Sequence, residues 1–111
     1  MKLIYMAHPV RGDVQHNLVQ AKTWLRHLVN KYNGTHTIIA PWITECELFD
    51  DGDEQQRAAG MQRCKVVIER CDEIWLVGHT GSPGMWQEAR WAIAAGVGLV
   101  NMTGTHGGWG L

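Results

Sequence analysis

Long apolar runs, a basic excess and CxxC pairs are all missing from this sequence of 111 residues. No apolar run approaches the roughly 20 residues that span a bilayer, and the opening MKLIYMAHP is interrupted too early for a signal peptide. We therefore expect a cytoplasmic protein without a membrane partner. The formal net charge is -1, whereas proteins that bind phosphate backbones normally carry a clear basic excess. A nucleic acid polymer is thus not the expected partner.

Cysteine and tryptophan contents point in different directions. The odd number of cysteines, Cys46, Cys64 and Cys71, fits a reducing compartment and buried packing better than a disulfide framework. Six tryptophans are many for so short a chain, and they cannot all be enclosed in one small core. We expect an exposed aromatic surface or a subunit interface, and hence a homo-oligomer of two or more copies.

Alternating strands and helices are predicted along one domain at 1–111, which ends in a glycine-rich tail at 103–111. The segment PWITECELFDDGDEQQ at 41–56 lacks a steady period and predicts a long loop, which in a compact domain is more often functional than idle. Strands are predicted at 2–7, 37–40, 73–77 and 98–101, and helices at 14–32, 54–71 and 83–95.

This alternation predicts an α/β fold, a Rossmann-like (flavodoxin-like) parallel sheet of four to five strands with helices on both faces. Right-handed crossovers favour the strand order 2-1-3-4. In such sheets a ligand binds outside the carboxyl ends of the strands, where the strand order reverses. The loops after the first and third strands, AHPVRGD and GHTGSPG, are therefore the expected site.

The second of these loops leads into a helix with features of an anion site. Ser82 is placed to cap the helix, Pro83 suits its first position, and Gly84 allows a ligand to approach unpaired backbone N–H groups. The same residues also fit an ordinary capped helix start. Glu88 lies about one turn further on and could be a nucleophile or a general base, or a solvated carboxylate.

The first loop offers a cation and two histidine positions. Arg11 and Gly12 could contribute a guanidinium to the same anion or form a surface turn. His8 should lie beside His79 if the first and third strands are neighbours, but no third ligand is evident, so we expect no metal. Tyr5 could hydrogen-bond a catalytic carboxylate or pack in the core.

The motifs IYMAHPVRGD, Asn17, APW, LFDDGDE, CDEIWLVG and SPGMWQEA, taken together, resemble small phage and bacterial proteins of the DUF4406 type, which are related to nucleoside 2-deoxyribosyltransferases. The resemblance extends from Lys2 to about Asn101 and implies a Rossmann-like domain in bacteria or phage-infected cells. It implies that Glu88 attacks the anomeric carbon of a deoxyribosyl group through an oxocarbenium-like transition state, with the hydroxyl of Tyr5 near the carboxylate.

The resemblance also favours a phosphorylated substrate. Deoxyribosyltransferases of nucleosides typically have an aspartate six residues before the nucleophile, whereas related nucleoside-monophosphate hydrolases have a serine, as here in Ser82. We therefore expect a 5'-nucleotide rather than a free nucleoside. Residues expected to hold the substrate or its phosphate are Ser82, Gly84, Met85, Arg11, Gly12, His8, Pro9 and Asn17, and contacts to the base or sugar are expected from Trp42, Asp51 and His79.

One departure from the resemblance leaves the activity open. Related hydrolases carry an aspartate that assists proton transfer to the leaving base, and this chain has Cys64 there, while Asp72 is expected to orient the start of a strand. The acidic residues 50–53 could supply a replacement or form a solvated loop. The first hypothesis is an N-glycosidic hydrolase or deoxyribosyltransferase without a cofactor. The alternatives are a nucleotide-binding module with weak catalysis and, less favoured, a structural subunit.

Overall fold

The structure is a computed structural model that describes residues 1–104. Residues 105–111 of the predicted glycine-rich tail lie outside the described part of the chain. The elements follow the predicted alternation, with one additional helix. They are β1 (Lys2–Ala7), α1 (Val14–Lys31), β2 (His36–Ile39), α2 (Pro41–Leu48), α3 (Glu54–Ile68), β3 (Glu73–Leu76), α4 (Pro83–Ala94) and β4 (Gly98–Asn101).

The four strands form one parallel sheet in the order β2-β1-β3-β4, which confirms the predicted order. β1 pairs with β2 in the register Tyr5 to Ile39 and with β3 in the register Ala7 to Leu76. The connection from β1 to β2 runs in the opposite direction along the sheet from that between β3 and β4. Right-handed connections therefore place α1 and α4 on opposite faces of the sheet, and the strand order reverses between β1 and β3.

Short polar side chains begin three of the helices. Asp13 accepts a hydrogen bond from the backbone N–H of His16 at the start of α1, and Asp53 accepts from the N–H groups of Gln55 and Gln56 at the start of α3. These carboxylates satisfy N–H groups that have no partner inside the helix. Ser82 caps α4 in the same way. The predicted N-terminus of each helix is therefore fixed locally.

Apolar residues of β1 and β3 form the centre of the core. Ile4, Tyr5, Met6, Ile74 and Leu76 are all fully buried, as expected for parallel strands with a helix layer on each face. The buried face of α1 is formed by the residues Leu18, Ala21, Trp24 and Leu28.

Segment 41–56 differs from the prediction of a long loop, because its first half is the helix α2. Pro41 occupies the first turn, where its missing N–H costs nothing, and Trp42 and Ile43 are buried. The eight residues of α2 amount to about two turns, too few for a helical period to be visible in the sequence. Helix α2 is therefore stabilised by tertiary burial of the Trp42 indole, whose Nε1 donates a 2.8 Å hydrogen bond to the Met6 carbonyl.

Asp72 directly precedes β3, but its side chain holds the start of the neighbouring β1, because its Oδ2 accepts a 2.7 Å hydrogen bond from the N–H of Leu3. Cys64 and Cys71 are buried, whereas Cys46 is only partly buried, in contrast to the expectation for all three. Among the helices of residues 1–104, none combines the length and apolar character that crossing a bilayer demands.

Apolar side chains remain exposed around α4 and the edge strand β4. Trp86 and Ile93 on α4 are exposed, and so are Leu99 and Val100 on β4. Exposed apolar surface of this kind is typical of an interface. The homo-oligomer stays a prediction.

Candidate active-site cleft

A cleft of about 450 Å³ lies at the carboxyl end of the sheet, between the loop after β1, helices α2 and α3, and the first turns of α4. Its position matches the predicted crevice at the reversal of strand order. Its lining residues are His8, Val10, Arg11, Trp42, Glu45, Cys46, Phe49, Asp50, Asp51, Gln56, Arg57, Gly60, Met61, Cys64, Ser82, Pro83, Gly84, Met85, Gln87, Glu88 and Arg90.

Glu88 and Tyr5 form a buried pair at the wall of this cleft. Glu88 lies on α4 and is 9% exposed, and Tyr5 lies on β1 and is fully buried. The hydroxyl of Tyr5 donates to Oε2 of Glu88 at 2.5 Å. A charge-assisted hydrogen bond of this kind holds one carboxylate oxygen and leaves the other available to the cleft.

The protonation of Glu88 is set by opposing effects. Burial raises the pKa of Glu88 to about 7, although the hydrogen bond from Tyr5 and the positive charge of Arg57 both lower it. Burial also raises the pKa of Tyr5 well above its usual value, so that the phenol stays a donor at neutral pH. A carboxylate with a pKa near 7 is suited to act as a nucleophile or base at physiological pH.

Cys64 on α3 completes the buried cluster behind Glu88. Cys64 is 3% exposed, and its thiol interacts with the hydroxyl of Tyr5. Burial raises the pKa of Cys64 to about 11. The negative charge of Glu88 also raises this pKa, whereas the hydrogen bond with Tyr5 lowers it. The thiol is therefore neutral at pH 7 and a much weaker acid than a carboxyl group in the same place.

The start of α4 presents polar groups to the same cleft. Oγ of Ser82 accepts a 3.3 Å hydrogen bond from the N–H of Met85, and Pro83 occupies the first turn. Arg57 of α3 lies against this turn, because its Nη2 is 3.2 Å from the position that a Cβ on Gly84 would occupy. Gly84 thus permits a guanidinium to approach the positive end of a helix, and together they form an electropositive corner of the cleft.

Arg57 is the residue of this corner that sequence reasoning missed. Its Nε lies 3.6 Å from Oδ1 of Asp51, and the two side chains are only 19% and 14% exposed. Its Nη1 also contacts the sulfur of Met61 at 3.3 Å. The only signal in the sequence was the position of Arg57 one turn after the cap Asp53, and that position does not reveal which element the side chain faces.

Arg11, predicted to bind the same anion, lies at the outer edge of the cleft and is largely exposed. Its Nη2 forms a 2.8 Å ion pair with Oε1 of Glu54. Asn17 holds the loop after β1, because its amide donates to the carbonyls of Val10 and Arg11 at 3.1 and 3.2 Å. Gly12 supplies the positive φ of +100° that this turn requires.

His8 lines the inner wall of the cleft. Its Nδ1 lies 2.7 Å from the carbonyl oxygen of Pro9, and its ring stacks on Trp42 at 6.4 Å between centroids with an angle of 5°. His79 contributes its charge to the electrostatic surroundings of His8 but is exposed and does not line the cleft.

The cleft therefore brings together only part of the predicted set. The residues of the predicted set that line the cleft are Glu88, Ser82, Gly84, Met85, Arg11, His8, Trp42 and Asp51, whereas Tyr5 lies behind it and Pro9, Gly12, Asn17 and His79 lie outside its lining.

In the part of the chain that the structure describes, no three His, Cys, Asp or Glu side chains are grouped to hold a metal ion.

A family model described as "Domain of unknown function (DUF7768)" matches residues 2–102, nearly the whole described chain. The chain belongs to the DUF7768 family. This assignment differs from the expected DUF4406 type. Among curated proteins, none matches the chain.

The DUF7768 domain also resembles a solved structure, a 2-deoxyribosyltransferase from the psychrotolerant bacterium Bacillus psychrosaccharolyticus. The TM-score is 0.57 at 20% sequence identity, and the match covers 94% of this chain and 75% of the other. At this identity the likeness establishes a shared α/β fold. The predicted Rossmann-like architecture is therefore confirmed.

Proposed function

We propose that this DUF7768 protein cleaves or transfers the N-glycosidic bond of a nucleoside 5'-monophosphate, with Glu88 as the nucleophile. The observation that carries the proposal is the buried pair of Tyr5 and Glu88 at the wall of the cleft. The fold shared with a 2-deoxyribosyltransferase supports the same reaction class.

In the first step, a carboxylate oxygen of Glu88 forms an ester bond to the anomeric carbon while the bond from that carbon to the base nitrogen breaks. The electron pair of the broken bond goes to the base nitrogen, which takes up a proton from solvent or from an acidic group of the cleft. In the second step, water or the nitrogen of another base attacks the anomeric carbon and gives up its proton to solvent, and Glu88 leaves as a carboxylate. The hydroxyl of Tyr5 orients Glu88 and stabilises its charged form before the attack and after the release.

The 5'-phosphate fits the electropositive corner formed by the start of α4 and Arg57. The first turn of a helix attracts anions, and in α4 the N–H of Gly84 is the donor that would serve the phosphate, because Pro83 has no N–H and the N–H of Met85 is bonded to Ser82. Arg57 adds a guanidinium whose fork matches phosphate oxygens. A phosphate in this corner would replace Asp51 as the main anionic partner of Arg57.

A nucleotide-binding module with weak catalysis is the second candidate, and Cys64 is the observation that favours it. The thiol lies beside Tyr5 and cannot donate a proton to a leaving base as readily as a carboxyl group. General acid assistance typically contributes about 10²–10⁴-fold in rate, so that its loss would leave binding intact and turnover slow. Asp50 and Asp51 line the same cleft and are the candidates for a replacement acid.

A test of the proposal is the release of free base from a panel of ribonucleoside and deoxynucleoside 5'-monophosphates, followed by chromatography. We expect release by the wild type and at least a 100-fold loss in Glu88→Ala. Glu69→Gln, which changes an exposed carboxylate outside the cleft, is the control and keeps full activity.

Two other outcomes would contradict the proposal that the protein is an enzyme. No release, together with thermal stabilisation by a monophosphate, supports the binding module. Neither release nor stabilisation with any member of the panel contradicts both candidates. The same panel run with free nucleosides shows whether the phosphate contributes to recognition.

A further inference from the structure

Phe49 is an exposed aromatic ring in the lining of the cleft. Of the phenylalanine, tyrosine and tryptophan side chains in residues 1–104, only those of Phe49 and Trp42 line the cleft. Trp42 is 7% exposed and its indole is stacked on His8, whereas Phe49 is 44% exposed. Phe49 therefore offers the cleft an aromatic surface that a ligand can reach.

One face of the Phe49 ring is covered by a cation. The guanidinium carbon of Arg63 on α3 lies over the ring, 5.0 Å from its centroid. Arg63 is itself held by Glu45 on α2, because its Nε and Nη2 donate to the two carboxylate oxygens at 2.9 and 2.5 Å. Arg63 does not line the cleft, whereas Phe49 does. The ring thus separates the guanidinium from the cleft, and its other face is the one that a ligand would meet.

The backbone on each side of Phe49 is also fixed. The N–H of Phe49 donates to the carbonyl of Glu45 at 2.9 Å, and the N–H of Asp50 donates to Oε1 of Gln56 at 2.8 Å. Contacts from α2 and α3 therefore hold the ring in place before a ligand binds. We call the ring of Phe49, with the Arg63 and Glu45 side chains that support it, the Phe49 platform. A ring that is already ordered loses little conformational freedom on binding.

A flat apolar ring with a cation behind it favours a planar, electron-rich ligand. The cation draws π-electron density towards the covered face, so that the free face becomes less negative. Nucleobases are planar, and stacking on an aromatic side chain typically contributes about 5- to 150-fold in affinity per base. The two fused rings of a purine cover more of the Phe49 ring than the single ring of a pyrimidine does. The ring has no hydrogen-bonding group for a sugar or a phosphate.

The position of the platform suits the base of the proposed substrate. Helix α3 packs against both α2 and α4, so that Phe49 at the end of α2 and Glu88 on α4 lie on the two sides of α3 and line one cleft. A nucleophile and its leaving group lie on opposite sides of the carbon under attack. A base that leaves the anomeric carbon as Glu88 attacks therefore points away from α4, on the side where Phe49 lies.

We propose that Phe49 stacks on the base of the bound nucleotide and that the cleft consequently prefers purine to pyrimidine 5'-monophosphates. This makes Phe49 a specificity-determining residue. The inference rests on the proposed function, because it requires that the cleft binds a nucleotide.

The test measures Kd by calorimetric titration with 2'-deoxyadenosine 5'-monophosphate, 2'-deoxycytidine 5'-monophosphate and 2-deoxyribose 5-phosphate, which has no base, and with the corresponding ribose compounds. Glu88→Gln is used throughout, because its amide does not attack and the ligands stay intact. With Phe49 present, the purine nucleotide should bind about 5- to 150-fold more tightly than the sugar phosphate, and the pyrimidine nucleotide should lie between them.

A matched pair of variants isolates the ring. Phe49→Leu keeps an apolar side chain but has no ring, and it should lose most of the difference between purine nucleotide and sugar phosphate, while the Kd of the sugar phosphate stays within about 2-fold. Phe49→Tyr keeps the ring and should keep the difference.

A second measurement needs no change at Phe49. Phe49 is the single phenylalanine of the chain, so that selective ¹³C labelling of phenylalanine reports on one ring. The ring current of a stacked base should move the Phe49 ring protons upfield, more for the purine than for the pyrimidine, and the sugar phosphate should leave them almost unmoved. This readout holds even if Phe49→Leu fails to fold.

The outcomes separate the two claims. If the nucleotides bind no better than the sugar phosphate, or if Phe49→Leu weakens both equally, the role of Phe49 is wrong and the proposed function stands. If the pyrimidine nucleotide binds as tightly as the purine nucleotide, the purine preference is wrong. If stacking is observed but the wild type releases no base, the role of Phe49 stands and the proposed reaction fails. If none of the ligands binds, both claims fail.

Discussion

The hydroxyl of Tyr5 donates a 2.5 Å hydrogen bond to the carboxylate of Glu88, although 83 positions separate the two residues in the chain. One lies on the central strand β1 and the other on α4, so the pair exists only because the sheet brings these elements together. Burial raises the pKa of Glu88 to about 7, and the hydrogen bond from Tyr5 opposes this rise. This balance governs the first three predictions.

The activity of the wild type should rise with pH through about 7. Glu88 must be ionised to attack, and its pKa is raised by burial to about 7. Below that pH, the logarithm of kcat/KM should fall by one unit per pH unit, so that base release at pH 5 is about 100-fold below the plateau. A pH profile of kcat/KM checks this, and a flat profile between pH 5 and 8 would contradict a catalytic role for Glu88.

Removal of the Tyr5 hydroxyl should move that profile to higher pH. Tyr5→Phe deletes a donor to the charged form of Glu88, and the pKa of the carboxyl should rise by about one to two units, as a charge-assisted hydrogen bond of about 1.5–3 kcal/mol implies. Tyr32→Phe, whose ring packs against His36 and Trp75 outside the cleft, is the control. An unshifted midpoint in Tyr5→Phe would show that the hydrogen bond does not set the pKa.

Glu88→Gln should stabilise the fold at high pH. The folded-state pKa of Glu88, about 7, exceeds the usual 4.5, so its contribution to stability is complete below 4.5 and is lost as pH rises through about 7. The loss at pH 8 is about 3 kcal/mol. Urea unfolding at pH 4.5 and pH 8 should show a gain for the variant that is larger by this amount at pH 8, and an equal gain at both values would refute the linkage.

Arg57→Gln should weaken the binding of monophosphates specifically. Loss of a guanidinium from the corner beside Gly84 should raise the Kd of a nucleoside 5'-monophosphate about 10- to 100-fold, and leave the Kd of the free nucleoside within a few-fold. The control is Arg70→Gln, which removes an equal charge outside the cleft. An equal loss for the nucleoside would mean that Arg57 supports the cleft in general rather than the phosphate.

Cys64→Asp should accelerate base release by about 10-fold or more. A carboxyl group in this buried place would have a raised pKa and could donate a proton to the leaving base, which the thiol does poorly. Cys64→Asn has nearly the same shape but no acidic proton, and it isolates this effect. A folded Cys64→Asp protein that is no faster than Cys64→Asn would show that the acid is supplied elsewhere or not needed.

Most of the fold could be predicted from local patterns, and the missed helix shows where such patterns end. The strand order was predictable because alternating strands and helices with right-handed crossovers allow few arrangements. The helix α2 could not be predicted, because its two turns bury only Trp42 and Ile43, which is too few apolar positions to show a helical hydrophobic period. The first half of the predicted loop is instead the helix α2, which forms one wall of the cleft and contributes Cys46 to its lining.

The candidate site was predictable where a residue's role depends on its own chain neighbours. Ser82 could be placed as a helix cap, and the loops after β1 and β3 could be placed at one edge of the sheet. Arg57 and the Phe49 platform could not be found, because both depend on which elements pack against them. The functional roles of the cleft residues stay predictions.

The sequence by itself determined the alternation of strands and helices, the helix caps and the position of the crevice, because hydrophobic period, capping and crossover handedness act over short stretches of chain. The tertiary structure alone decided the chemistry of the cleft. Burial raises the pKa of Glu88, the hydroxyl of Tyr5 opposes that shift, and Arg57 meets the start of α4. These effects depend on distance and desolvation between residues far apart in the chain, which no local pattern encodes.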